Sequence, residues 1–94
     1  MEQFTENDFK ILKSILDRGD NKKGLNIANG TTIEEMVKKT KLSDKKVRDT
    51  INKFKESGYV TEGIKKVRTK TYVITKEGFT LLNNIRTNIF GEEL

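Results

Sequence analysis

Ninety-four residues are enough for one domain with one modest core, and the chain is expected to fold as a single unit over residues 1–94. With no cysteine and no histidine it has no disulfide framework, no thiolate or imidazole metal site and no histidine base, so neither catalysis nor a metal or cofactor is expected. The net charge of +5, with 33% apolar and 35% charged residues, leaves no run of about 18 apolar residues for a membrane span, and the start Met1-Glu2-Gln3-Phe4 lacks the basic and apolar segments of a secretory signal.

The first helix is expected over 6–18. Thr5 and Asp8 have the spacing of a capping box, Phe4 and Phe9 that of a hydrophobic staple, and Phe9, Leu12, Ile15 and Leu16 recur at helical spacing until Gly19 and Asp20. Residues 20–30, rich in Asn, Lys and Gly, read as a loop in which Leu25 and Ile27 mark a short extended piece. Thr31 or Thr32 caps a second helix over 33–40, whose short apolar face is Ile33, Met36 and Val37. Leu42 points inward from the turn that follows. Ser43 then caps a third helix over 44–57, with Val47, Ile51 and Phe54 at i, i+4 and i+7.

Gly58 sits where a left-handed residue ends a helix. Tyr59-Val60-Thr61 and Lys70-Thr71-Tyr72-Val73-Ile74-Thr75 have strand composition and bracket a basic tip, so a hairpin is expected. Thr75 caps a last helix with Phe79, Leu82, Ile85 and Ile89 on one face and Leu81 and Phe90 beside it. That face exceeds what a small core needs, and its outer part, Ile85, Ile89 and Phe90, is assigned together with helix one to a homodimer contact with a second copy.

Charge is concentrated in the middle of the chain. Residues 1–37 hold five Lys/Arg against seven Asp/Glu, residues 38–70 twelve against four, and residues 71–94 two against three. A polyanion is the natural partner for such a stripe, because cations that neutralise phosphates release condensed counterions. On helix three the side opposite Val47, Ile51 and Phe54 carries Lys45, Asp49, Asn52 and Glu56, flanked by Arg48 and, on the other side, Lys46 and Lys53. Arg and Lys donate to guanine, Asn52 suits adenine, and Asp49 can accept from cytosine or orient Arg48. Lysines in a first helical turn oppose the macrodipole, and misplaced charge of this kind points to an anionic partner.

The hairpin tip adds Lys65, Lys66, Arg68 and Lys70 with no acid among them, suited to the phosphate backbone or a minor groove. Ser43 and the free amides at the start of helix three, and Thr32 at the start of helix two, are further candidates for phosphate contact. Two other patterns are set aside. Gly58 to Lys65 lacks the Gly-Lys-Ser/Thr sequence of a phosphate-binding loop, and the adjacent Glu34 and Glu35 point about 100° apart on a helix, too divergent for a facing acid pair.

The order helix, helix, short turn, helix, basic hairpin, helix resembles the winged helix-turn-helix superfamily across nearly the whole chain. Thr32 to Ser57, TIEEMVKKTKLSDKKVRDTINKFKES, is similar to the helix-turn-helix pair, and Gly58 to Gly78, GYVTEGIKKVRTKTYVITKEG, is similar to the wing and strand-to-helix junction of MarR-like and PadR-like regulators. The resemblance implies an α+β, mainly helical fold, with a three-helix core, a β-hairpin wing and a C-terminal helix. It also implies a cytoplasmic homodimer that binds double-stranded DNA, with helix three in the major groove.

The chain also resembles the TubR centromere-binding proteins of tubulin-like plasmid and phage segregation systems. In that family the recognition-helix N-termini and the wings meet DNA, which carries over to Lys45, Lys46, Arg48, Lys66 and Arg68 here and implies a tubulin-like GTPase as partner. The lack of cysteine, histidine and tryptophan leaves little for effector sensing, which favours a partition adaptor. A MarR-like or PadR-like transcriptional repressor is the alternative, and a winged-helix protein-interaction module a further one.

Overall fold

The computed structural model describes residues 4–17, 19 and 22–90, with side chains described as far as Asn84. Thr5 and Asp8 close a full capping box, each side chain taking the other's backbone N–H, and helix α1 runs Glu6–Ser14. It is one turn shorter than its apolar spacing predicts because other elements draw off its last carbonyls. Lys39 donates to the carbonyls of Ser14 and Leu16 at 3.2 and 3.0 Å, and the Thr31 hydroxyl donates to that of Ile15 at 2.5 Å. Carbonyls engaged from outside the helix no longer need a continuing ladder.

The loop between the first two helices holds a 3-10 turn, Ile27–Asn29, where Leu25 and Ile27 suggested an extended piece. The extended contribution comes from Thr31 instead, which exchanges backbone hydrogen bonds with Tyr72 at 2.9 and 2.8 Å. Helix α2, Ile33–Thr40, starts from a second complete capping box between Thr32 and Glu35 and stops at Lys41, which adopts a left-handed conformation. Leu42 packs half-buried against the core, and Ser43 caps helix α3, Asp44–Glu56.

Val47, Ile51 and Phe54 of α3 are fully buried with Ile11, Leu12 and Ile15 of the first helical segment and Met36 of α2. Each such side chain contributes roughly 1.5–3 kcal/mol relative to exposure. This is the three-helix core, and it fixes which side of α3 faces outward. The helix ends in a Schellman motif: Gly58, at φ +84°, donates to the Lys55 carbonyl and Tyr59 to that of Phe54. The Tyr59 and Phe54 rings meet edge to face at 6.3 Å, and Phe4 stacks on Phe54 at 6.1 Å.

Strands β1, Val60–Glu62, and β2, Tyr72–Ile74, pair antiparallel with Val60 opposite Ile74 and Glu62 opposite Tyr72. They are shorter than their composition suggests because Thr71 turns its hydroxyl onto the Ile64 carbonyl and the ladder gives way to the tip. The loop after α1 buttresses both strands, with Ile64 donating to the Ile27 carbonyl and Ile74 to that of Gly24, each at 2.7 Å. Thr75 caps helix α4, Lys76–Phe90, through the Gly78 N–H. Leu82 of this helix is buried, whereas Phe79, expected on the same face, is 41% exposed beside Leu25. The fold is thus mainly helical with a two-stranded antiparallel wing.

Candidate nucleic-acid interface

Because Val47, Ile51 and Phe54 turn inward, α3 presents Lys45, Lys46, Arg48, Asp49 and Asn52 to solvent. Ser43 is also exposed, and its hydroxyl accepts the Lys46 N–H at 3.1 Å, so the first turn of α3 retains free amides beside an exposed cap. Thr32 is placed differently from its expected role: it is buried, and its hydroxyl is engaged by the Glu35 N–H at 3.1 Å.

Two ion pairs organise the exposed side of α3. Lys45 donates to Asp49 at 2.8 Å and the Arg48 Nε to Asp44 at 2.5 Å, both at i,i+4. The sequence offered Asp49 as the group that orients Arg48; the structure gives that place to Asp44, because a four-residue spacing stacks side chains on one helix face and a one-residue spacing does not. The hydrogen-bonded carboxylates raise the Lys45 and Arg48 pKa values above their ordinary ranges, so both stay cationic at any physiological pH. Engaging Nε leaves the two terminal nitrogens of Arg48 available to a base edge or a phosphate.

The wing projects from β1 and β2 and closes in a two-residue turn. Lys66 and Thr69 exchange backbone hydrogen bonds at 3.0 and 2.8 Å, leaving Val67 and Arg68 at the tip. Lys65, Arg68 and Lys70 are exposed, and Lys66 reaches Glu35 of α2 at 3.7 Å. Glu35 also takes Lys23 at 3.0 Å, so one carboxylate ties the wing and the preceding loop to the helix-turn-helix. Burial opposes ionisation of Glu35, but the bond from Lys23, with Lys66 nearby and the Thr32 N–H, outweighs it and holds the carboxyl below its ordinary value.

Between α2, α3 and the wing lies a cleft of about 560 Å³, lined by Arg48 from the helix and Lys70 from the wing. The two basic elements, separate in sequence, therefore share one surface. Lys38, Asp44 and Thr69 also line the cleft and were not singled out from the sequence. The Asp44–Arg48 spacing was legible in principle, whereas nothing local announces that Thr69 or Glu35 meets the other element. Of the expected dimer contacts, Ile85, Ile89 and Phe90 have side chains outside the described residues.

No protein-family model matches the sequence, and no curated protein does. Among solved structures, the DNA-binding TubR fragment from Clostridium botulinum is 31% identical, with 89% of this chain and 99% of that one covered at a TM-score of 0.67. The PcaV transcriptional regulator from Streptomyces coelicolor is 13% identical over 96% of this chain and 58% of its own, with a TM-score of 0.73. BpsR from Bordetella bronchiseptica, whose DNA binding is regulated by 6-hydroxynicotinic acid, is 19% identical over 89% and 53%, with a TM-score of 0.68. The chain thus spans a little over half the length of those two regulators, whose likeness concerns the fold alone.

Proposed function

The chain belongs to the winged helix-turn-helix DNA-binding superfamily and, within it, to the family of the TubR fragment, and from that premise we propose that it is a cytoplasmic homodimer that binds double-stranded DNA sequence-specifically as a partition adaptor. The observation that carries the reading is the shared cleft. Arg48 of α3 and Lys70 of the wing meet one surface, with Lys45 and Lys46 on the exposed side of the same helix. An α-helix fits a major groove about 12 Å wide, and the adjacent hairpin then reaches the backbone or the neighbouring minor groove.

In this reading Lys45, Lys46, Arg48, Asp49 and Asn52 approach base edges, while Ser43, Lys65, Lys66, Arg68 and Lys70 meet phosphate or minor groove. The dimer forms through α4, with Ile85, Ile89 and Phe90 in the contact. The partition role rests on similarity to the TubR fragment over 89% of this chain, and its protein partner would be a tubulin-like GTPase. A MarR-like or PadR-like transcriptional repressor is the second reading, favoured by the fold similarity to PcaV.

Footprinting on the DNA that flanks its own gene separates these roles. Protection of an array of short direct repeats supports the partition adaptor, and protection of one palindrome over a promoter supports the repressor. If no DNA is protected, the protein-interaction module replaces both.

A further inference from the structure

Val67 occupies the first central position of the wing's two-residue turn with φ at +57°, and its side chain is 97% exposed. A β-branched residue at positive φ is a conformational outlier, and Gly, Asn or Asp is the ordinary occupant of such a turn. The valine therefore strains the backbone and gains nothing from the rest of the fold, since almost none of its surface is covered. It is also the only apolar residue among six consecutive positions, Lys65 to Lys70, that are otherwise basic or threonine. An apolar side chain held in strain at the end of a cationic hairpin is suited to a surface that is anionic at its rim and apolar within.

A minor groove has that character: phosphates line its edges, deoxyribose forms its walls, and its width of about 6 Å admits a narrow turn. We propose that Val67 seats the wing tip in the minor groove, its methyl groups against the sugar walls while the Arg68 guanidinium stays on the phosphates at the rim, and that it biases the wing toward A·T pairs. The bias follows because the exocyclic amine of guanine, exposed in the groove of G·C pairs, would be desolvated against methyl groups without a hydrogen-bond partner. The inference rests on the reading that the wing meets DNA, and the experiment keeps the two apart.

The protein and its V67G, V67A and R68A variants are titrated onto alternating A·T and alternating G·C duplexes, and each variant is melted. The V67G and V67A variants should bind the A·T duplex about three- to tenfold more weakly, as expected for losing burial of one small apolar side chain, and lose the preference for it over the G·C duplex. V67G should melt no lower than the parent, since glycine relieves the positive φ; V67A keeps a Cβ and tests the contact if V67G melts lower. If R68A weakens binding while both Val67 variants bind as the parent does, the Val67 contact is wrong and the wing reading stands. If all three variants bind as the parent does, the wing does not meet DNA and both fall.

Discussion

Lys53 of α3 donates to the Asp8 carboxylate of α1 at 3.1 Å, and the same carboxylate accepts the Thr5 N–H at 3.2 Å. Asp8 is almost fully buried, while the Lys53 ammonium lies near the Phe4 and Phe54 rings at 5.9 and 5.5 Å. One side chain thus completes the cap of α1 and anchors the back of α3, which orients the helix proposed to enter the groove. Asp8→Ala should lower unfolding free energy by about 2 kcal/mol, combining the lost carboxylate half of the capping box with a lost ion pair, while the Thr5 hydroxyl keeps the backbone N–H of residue 8. Lys53→Ala should cost about as much, because it leaves the buried Asp8 carboxylate with the Thr5 N–H but no counter-ion. Urea denaturation of the two variants measures both costs.

Gly78 lies in the first turn of α4, where alanine is ordinarily better than glycine by roughly 0.5–1 kcal/mol. Here the sign reverses. A Cβ at this position would run into the Tyr59 carbonyl, a backbone atom held by the Schellman motif and by the Thr75 N–H, and would also press on Ile74. Gly78→Ala should therefore destabilise by about 2 kcal/mol, as expected of overpacking, and thermal melting would show a lowered midpoint.

Burial raises the Glu35 carboxyl, but the hydrogen bond and charge of Lys23, together with the Lys66 charge and the Thr32 N–H, outweigh it and hold the group below its ordinary value of 4.5. A depressed carboxyl contributes stability that is present above the unfolded value and lost as pH falls through the folded one. The parent should thus lose stability more steeply below about pH 4.5 than Glu35→Gln. The difference should stay under about 1 kcal/mol, since the pair is partly exposed. Urea midpoints measured from pH 7 to pH 3 give both curves.

Much of this architecture was legible because local signals carried it. Thr5 with Asp8, Thr32 with Glu35, Ser43 and Thr75 each cap the helix they announce, and Gly58 ends α3 in the left-handed conformation expected of it. Long-range pairings were not legible. Nothing in the stretch Lys22 to Thr31 tells that its extended contribution is Thr31 against Tyr72, forty-one positions away, and the spacing around Leu16 cannot show that Lys39 takes the carbonyls of the last turn. In the site, the sequence placed Lys45, Arg48 and Asn52 outward through helical period alone. The meeting of Arg48 with Lys70, and of Glu35 with Lys66, depends on how the wing folds back.

Arg48 and Arg68 should behave differently on DNA. Removing Arg48 should weaken the preferred duplex on the order of tenfold or more and relax base preference, as losing a base contact does. Removing Arg68 should weaken all duplexes and reduce the salt slope by about one, as losing a phosphate contact does. Competition titrations with cognate and scrambled duplexes would resolve the two patterns.

Whether α3 and the wing together form a sequence-reading DNA interface is decided by titrating the protein onto a fluorescent duplex from its own upstream region and onto a scrambled duplex across a salt series. Binding should be tight, weaken steeply with salt and favour the native duplex. Binding to neither duplex, or binding indifferent to salt, would contradict such an interface.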